Sequence, residues 1–597
     1  MLRQTVTKER ECGYMTSLPK GGSFLFSSTD PQTVFTPEDF TLEHKMLYRT
    51  AMSFVTDRVL ASMEELEVKQ EGLNKKLLQE AGELGLNSAD IPEDYDGMDM
   101  DKISTTIIAE CMGKGGSFAM TQGGHTGIGS MPIVMFGTQD QKKKYLPYVV
   151  TGEKAGAYAL TEPGAGSDAM SVKTRAVLSS DGQHYIINGT KQFITNSEFA
   201  DFFIVYAKID GEKLTAFIVD ADSEGLILGP EEKKMGIKGS STRSVIFEDV
   251  KVPAENVLFE IGRGHVVAFN ILNLGRYKLA ANALGAAKHA LELSATYANE
   301  RKQFGTPIAN FGLIKEKLAN MAIKIYVTES MVYRTGGLLD GILHGLDTSG
   351  ENGGQVAAKG IEEYALECSI NKVFATEAQG YVVDEGVQIH GGYGFCAEYP
   401  IERLYRDARI YRIFEGTNEI NRTIIPNTLL RRIGKGDLPL KEGVEKLKKI
   451  IETSPLRQTE EEGVQAAKEV FLLTMDAALQ KYGKELTKQQ EIAGRIADLV
   501  ILTFAMESAW LRAQKAVQKE GEEKAKLKVK LASAFIFSTI DTLISKAKEV
   551  LTTLAEGQEL QKLLEDLKKL TQYVPRNTVA LRQEIAAAIS EQGKYVV

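Results

Sequence analysis

Cysteine is scarce and scattered. The four in this 597-residue chain, Cys12, Cys111, Cys368 and Cys396, are far apart and show no metal-type spacing. That argues against a disulfide framework and fits thiols in a reducing compartment; no metal site is expected. No apolar run is long enough to span a bilayer. Positive charge is not in excess: the formal net charge is −9, which disfavours a nucleic-acid surface, so no nucleic-acid partner is expected. Arg3, Lys8, Glu9, Arg10 and Glu11 precede any apolar stretch. This is neither a secretory leader nor the acid-poor pattern of a transit peptide, and a cytoplasmic location is expected. No internal repeat is visible.

Apolar residues make up 43% of the chain and charged residues 25%, the balance of a soluble globular protein large enough for several domains. From 36 to 155 the texture is mainly helical: Lys75 to Leu84 repeats apolar residues at helical spacing until Pro92 and Gly97 interrupt. From 156 to 262 it turns β-rich. Tyr185 to Gly189 reads as a strand ending in a turn signal, and Phe202–Tyr206, Leu214–Val219 and Ser244–Phe247 as further short strands. Helical periodicity returns from 263 to 434, with helices expected over Leu279–Ala298 and Gly312–Met331 and a glycine-rich link at Gly345–Gly354. Gly434–Pro439 reads as a linker. A helical segment from 440 to 597 follows, with patterns at Gly443–Glu452, Val464–Lys481, Gln489–Gln518 and Leu527–Leu554.

Several short segments carry chemistry. In Phe414-Glu415-Gly416-Thr417-Asn418-Glu419-Ile420 a carboxylate sits between an aromatic ring, which can desolvate it and raise its pKa, and a glycine, which allows close approach to the backbone. Read alone, Glu415 is a surface acid beside a helix start. Gly164 to Ala169 satisfies G-x-G-x-x-A, but no long apolar helix and no βαβ unit follow, so a Rossmann site is rejected in favour of a turn. Arg301, alone, reads as a solvated charge at a helix end.

Together, Tyr158–Asp168, Asn188–Asn196, Arg301-Lys302-Gln303-Phe304-Gly305, Gln388–Gly394 and Phe414–Ile420 resemble the acyl-CoA dehydrogenases, most nearly the very-long-chain members with a C-terminal extension. The resemblance covers 35 to 432 closely and the rest by architecture. It implies an α+β protein: an N-terminal helical domain, a middle β-barrel domain, a C-terminal four-helix bundle and an extra helical C-terminal domain. It implies FAD, held by Tyr158, Leu160, Thr161, Gly166, Ser167, Phe193, Ile194 and Thr195, with Phe193 where many members have tryptophan. Arg301, Gln303 and Phe304 would reach the pyrophosphate of FAD in a neighbouring subunit, and Gln388, Gly391 and Gly392 the adenine side; Thr417 and Glu419 complete the set. A shared cofactor site implies a homodimer.

The implied reaction is α,β-dehydrogenation of a long-chain fatty acyl-CoA, the first step of β-oxidation, with electrons passed to electron-transfer flavoprotein. Glu415 would be the base. A minority of members carry theirs just before an arginine on another helix, and here that position is Gly275, before Arg276. Asn273 and Arg276 resemble contacts to the CoA portion; Ser167, Phe414 and Gly416 would also touch substrate. Medium-chain members plug the acyl tunnel with bulky polar residues where this chain, read without gaps, has Met120 and Gly124, which implies a longer tunnel. His125 reads as a structural or tunnel-wall residue. An oxygen-using acyl-CoA oxidase and a non-catalytic FAD-holding assembly or DNA-binding partner are the alternatives. In the extension, Leu447–Ile451 and the lysines from Lys515 to Lys530 form either a solvated helix face or a basic face for peripheral contact with the inner side of the cell membrane.

Overall fold

A computed structural model describes residues 18–453 and 455–597. Arg3, Lys8, Glu9, Arg10, Glu11 and Cys12, on which the reading of the N-terminus rests, lie outside the described residues. The first helical layer comprises α1 (Leu42–Phe54), α2 (Met63–Glu67), α3 (Leu73–Glu83), α4 (Lys102–Gly113), α5 (Ser117–Gly123), α6 (Met131–Phe136) and α7 (Gln139–Thr151). Thr138 starts α7 through a capping box with Gln141, and Gly152 ends it at φ +73°, so both ends are written in the local sequence.

An eight-stranded sheet follows: β1 (Gly156–Ala159), β2 (Arg175–Leu178), β3 (His184–Thr195), β4 (Phe202–Ile209), β5 (Lys213–Asp220), β6 (Leu226–Glu231), β7 (Thr242–Pro253) and β8 (Val257–Leu258). Its order is β6-β7-β3-β2-β4-β5-β8, with β1 branching off β4. β4 is buried on both faces. Phe203 and Val205 join the sheet's own core, while Phe202, Ile204 and Tyr206 pack into the core shared with the helices, which explains its unbroken apolar run. The turn expected at Asn188-Gly189 does not form. β3 runs through it with a register shift, and Gly189 (φ +155°) is needed because a Cβ there would lie 2.4 Å from Thr174 Oγ1. The glycine signals close approach within a strand.

The chain then builds α8 (Gly264–Glu300), a small hairpin of β9 (Lys302–Gln303) and β10 (Thr306–Pro307), α9 (Gly312–His344), α10 (Gly353–Glu362), α11 (Ala365–His390), α12 (Pro400–Tyr411) and α13 (Asn418–Lys435). α8, α9 and α11 pack on one another and α13 lies against α11. The extension comprises α14 (Leu440–Thr453), α15 (Glu460–Tyr482), α16 (Gln490–Glu520), α17 (Glu522–Leu554), α18 (Gly557–Leu570) and α19 (Thr578–Gln592); the sequence patterns stop short of the last two. α16 packs on α9 and α13, and α19 returns to α9. One continuous hydrophobic cluster runs from Leu25 and Phe54 through Leu291 and Val373 to Phe504 and Ile585. The extension therefore shares its core with the body of the protein.

Ion pairs seal that junction. Arg512, 1% exposed, donates to Glu38 and, at 2.5 Å, to Glu329. Four of the six lysines from Lys515 to Lys530 take part. Lys515 and Lys519 pair with Asp39, and Lys528 with Glu38 and Glu520; Lys530 pairs with Glu584. Those four charges are paired within the protein, while Lys524 and Lys526 are exposed on α17. No helix among the described residues is long and apolar enough to cross a membrane.

Candidate active site

Glu415 lies in the short link between α12 and α13. Glu415 (φ +56°) and Gly416 (φ +76°) are both left-handed, a conformation that glycine tolerates and glutamate adopts at a cost of roughly 1 kcal/mol. The loop is held by its carbonyls. Arg276 Nε donates to the Glu415 carbonyl at 3.3 Å. Lys372 Nζ donates to the Gly416 carbonyl at 2.8 Å and to Asn418 Oδ1 at 2.7 Å. Asn421 Nδ2 donates to the carbonyls of Gly416 at 2.9 Å and Thr417 at 3.0 Å. Thr417 then caps α13 by accepting from Ile420 N–H.

The carboxylate itself is left free. Glu415 Oε2 is buried and has no hydrogen-bond partner. Burial raises the pKa of Glu415 to about 7, opposed by the charges of Arg276 and Lys372, which puts it where a general base works best. Burial also pushes Lys372 down to about 7, opposed by Glu415. A Cβ at Gly275 would lie 2.5 Å from Glu415 Oε2, so α8 must be bare where the carboxylate rests.

A cavity is lined by Phe414, Glu415 and Thr195 together with Met120, Gly124 and Ile108. Gly275, Leu279 and Asn282 line it at one-turn intervals, so it follows α8 for roughly 10 Å. The openings are Gly123 and Gly127: both line the cavity, and a Cβ at either would meet nothing within 4 Å. At Gly124 a Cβ would lie 3.1 Å from Asn196 Nδ2. Gly124 thus lines the cavity and also packs closely against the end of β3. His125 is fully buried; its Nε2 pairs with the Val149 carbonyl and its Nδ1 accepts from Gly156 N–H, a structural role.

The two segments expected at the flavin come together. Gln192 N–H donates to the Thr161 carbonyl, and the buried Lys191 ammonium joins the Leu160 carbonyl at 3.1 Å to Glu162 at 2.7 Å. Residues Glu162 to Ala165 close a tight turn, and a single 3-10 turn at Ala169–Ser171 rather than an α-helix leads into β2, in keeping with rejection of the Rossmann reading. A register shift between Lys191 and Ile194 leaves Phe193 (φ +60°) unpaired within β3, its ring 63% exposed. Gly166 and Ser167 are exposed, Leu160 and Ile194 buried, and Tyr158 partly buried with its ring 5.2 Å from Tyr206.

Other residues stand elsewhere. Asn273 and Arg276, expected at the CoA portion, are buried and face the Glu415 loop, with Arg276 Nη1 donating to Asn273 at 3.0 Å. Glu419 is exposed on the first turn of α13. Arg301, Gln303, Phe304, Gln388, Gly391 and Gly392 are exposed at the far ends of α8 and α11, where Tyr297 stacks on His390 at 4.2 Å. Arg301 lies roughly 39 Å along α8 from Gly275. Lys372 and Asn421 were not anticipated; in sequence they are a mid-helix lysine and a helix asparagine. Among the described residues no group of three or more His, Cys, Asp or Glu could hold a metal.

Comparison with known proteins agrees with this geometry. The family descriptions that match are the acyl-CoA dehydrogenase N-terminal domain over 41–153, middle domain over 157–250, and C-terminal domain over 262–430, with a second C-terminal domain over 466–569. The chain belongs to the acyl-CoA dehydrogenase family. That makes it a flavin-dependent oxidoreductase of α+β fold, as the motifs implied. A probable acyl-CoA dehydrogenase of Bacillus subtilis is 50% identical over 97% of this chain and 98% of its own. The very long-chain specific acyl-CoA dehydrogenase of Rattus norvegicus is 35% identical over 85% of this chain and 79% of its own. A crystal structure of an acyl-CoA dehydrogenase with FAD from Bacillus anthracis is 53% identical, covers 97% of this chain and 100% of that one, and superposes with a TM-score of 0.95. The subunit CarC of a caffeyl-CoA reductase–Etf complex from Acetobacterium woodii is 36% identical over 66% of this chain and 100% of its own.

Gly275→Ala should displace the Glu415 carboxylate. The expected outcome is at least a tenfold loss of acyl-CoA oxidation with a stability loss of only about 1–3 kcal/mol, checked by turnover beside urea unfolding.

Proposed function

We propose that this protein oxidises long-chain fatty acyl-CoA to trans-2-enoyl-CoA with FAD as cofactor, Glu415 as the base and electron-transfer flavoprotein as the electron acceptor, in fatty-acid β-oxidation in the reducing cytoplasm. The observation that carries the reading is a buried carboxylate with an unpartnered oxygen at the wall of a mainly apolar cavity that follows α8. The names of the rat and Acetobacterium relatives support the chain length and the acceptor respectively.

The residues fit FAD. Exposed Phe193 offers an apolar wall, Gly164 and Gly166 have open space where a Cβ would sit, and Thr195 reaches the cavity beside Glu415. Bound FAD supplies the two-electron acceptor for the hydrogen that leaves the β-carbon. The protein's part is the α-proton. Glu415, deprotonated above about pH 7, takes it. The Glu415 N–H donates to no acceptor among the described residues and is available to the thioester oxygen, where negative charge builds as the proton leaves. Arg276 and Asn273 serve the loop from behind.

Distance supports a homodimer. Arg301 stands roughly 39 Å along α8 from Gly275 at the base, too far to share one FAD with it in the same subunit, and Gln303, Phe304, Gln388, Gly391 and Gly392 lie at the same end, where Arg301 sits over the Tyr393 ring. They fit the cofactor of a second copy. Phe304 and Phe395, 95% and 89% exposed, mark that end as an apolar surface that a copy would cover.

Two outcomes are expected on anaerobic mixing of the yellow protein with palmitoyl-CoA. Flavin absorbance bleaches in the wild type and not in Glu415→Gln; bleaching by the variant contradicts the assignment of the base, and oxygen uptake without need of an acceptor would favour an oxidase. Gly127→Leu should slow palmitoyl-CoA about tenfold or more while sparing octanoyl-CoA, because the added side chain fills the tunnel beyond the base.

A further inference from the structure

The Glu415 loop is connected to the extension by an unbroken series of polar contacts. Lys372, fully buried on α11, holds the Gly416 carbonyl and Asn418 Oδ1. Asn418 Nδ2 donates to Glu377 at 3.1 Å and to Thr376 at 3.2 Å. Glu377 receives two bonds from the Arg422 guanidinium, at 2.6 and 3.0 Å. The third edge of the same guanidinium donates from Nε to Asp498 on α16 at 2.8 Å. Lys546 on α17 holds the other Asp498 oxygen at 2.6 Å. One planar cation thus bridges α11, α13 and the extension, and a fork of this kind fixes orientation as well as distance.

We propose that the C-terminal extension is a working part of the catalytic loop: Asp498, acting through Arg422, Glu377 and Asn418, holds Lys372 beneath the Gly416 carbonyl and so sets the position and charge environment of Glu415. These are positioning residues, and the inference rests on Glu415 being the base. Two left-handed residues in succession need outside support, and Lys372 gives it where the strain is. The groups facing Glu415 are Arg276 from α8, Lys372 from α11 and Tyr158 from β1; those facing Lys372 are Glu415, Arg276, Glu377 and Glu419. Of the two cations near the base, Lys372 is the one this series of contacts ties to the extension. In its protonated form Lys372 favours the ionised carboxylate, so loss or displacement of Lys372 moves the pKa of Glu415 upward.

The test uses the full-length FAD enzyme and the rate of anaerobic flavin reduction by palmitoyl-CoA between about pH 6 and 9. Lys372→Met should raise the pH midpoint by about one unit, with roughly a tenfold loss below it; Lys372→Arg should restore the midpoint. Asp498→Asn, in the extension, should move the midpoint the same way, with a loss of about threefold or more. Combined with Lys372→Met it should cost less than the product of the two. Unmoved midpoints, or losses that multiply while only thermal stability falls, overturn the proposal. If Lys372→Met does not hold FAD, the midpoints of Asp498→Asn and Lys372→Arg decide alone. Full activity of Glu415→Gln would instead defeat the reading on which the proposal rests.

Discussion

The constraint on which this site depends is a carboxylate held in place by its backbone while its own oxygens are kept free. A hydrogen bond to Glu415 Oε2 would fix the side chain but lower its basicity. Here Arg276, Lys372 and Asn421 take the carbonyls of Glu415, Gly416 and Thr417, and Oε2 is buried without a partner. The left-handed backbone turns the side chain toward α8, and Gly275 leaves the room it needs. Local strain and a glycine on a distant helix are two halves of one arrangement.

The same logic explains why the extension cannot be regarded as an appendage. Its helices share a hydrophobic cluster with the first layer and the bundle. Arg512 sits between Glu38 of the N-terminal region and Glu329 of α9, and Tyr595 donates to the same Glu329 at 2.8 Å. Lys288 on α8 pairs with Glu329 and with Glu110 of α4. Removing one member of such a buried network strands the others without a partner, so the three parts of the chain are bound to one geometry.

The helix, sheet, helix order was legible because periodicity changes sharply near 156 and again near 263. Glu415 was legible as a candidate base only through the resemblance of its whole segment and the flavin-side motifs; alone, an acid between an aromatic ring and a glycine reads as a surface residue. Less could be read where one residue type serves two purposes. Asn188-Gly189 carries a turn signal, but the glycine answers to Thr174 across the sheet. Among Gly123, Gly124 and Gly127, only tertiary packing tells which faces the open cavity and which faces Asn196. α18 begins after Glu556 with no side-chain cap bond, so no local signal marks its start. Lys372 is invisible in sequence: a lysine amid α11 is ordinarily solvated, and only the fold puts the Gly416 carbonyl above it.

The most direct test of the account is the protonation state of Glu415 in the substrate-free enzyme. Infrared difference spectra of wild type against Glu415→Gln, titrated through neutral pH, isolate its carboxyl stretch. The account predicts a protonated band that disappears as pH rises, with a midpoint at about 7. A midpoint near the ordinary 4.5 would mean that the carboxylate is solvated or hydrogen-bonded, and would contradict it.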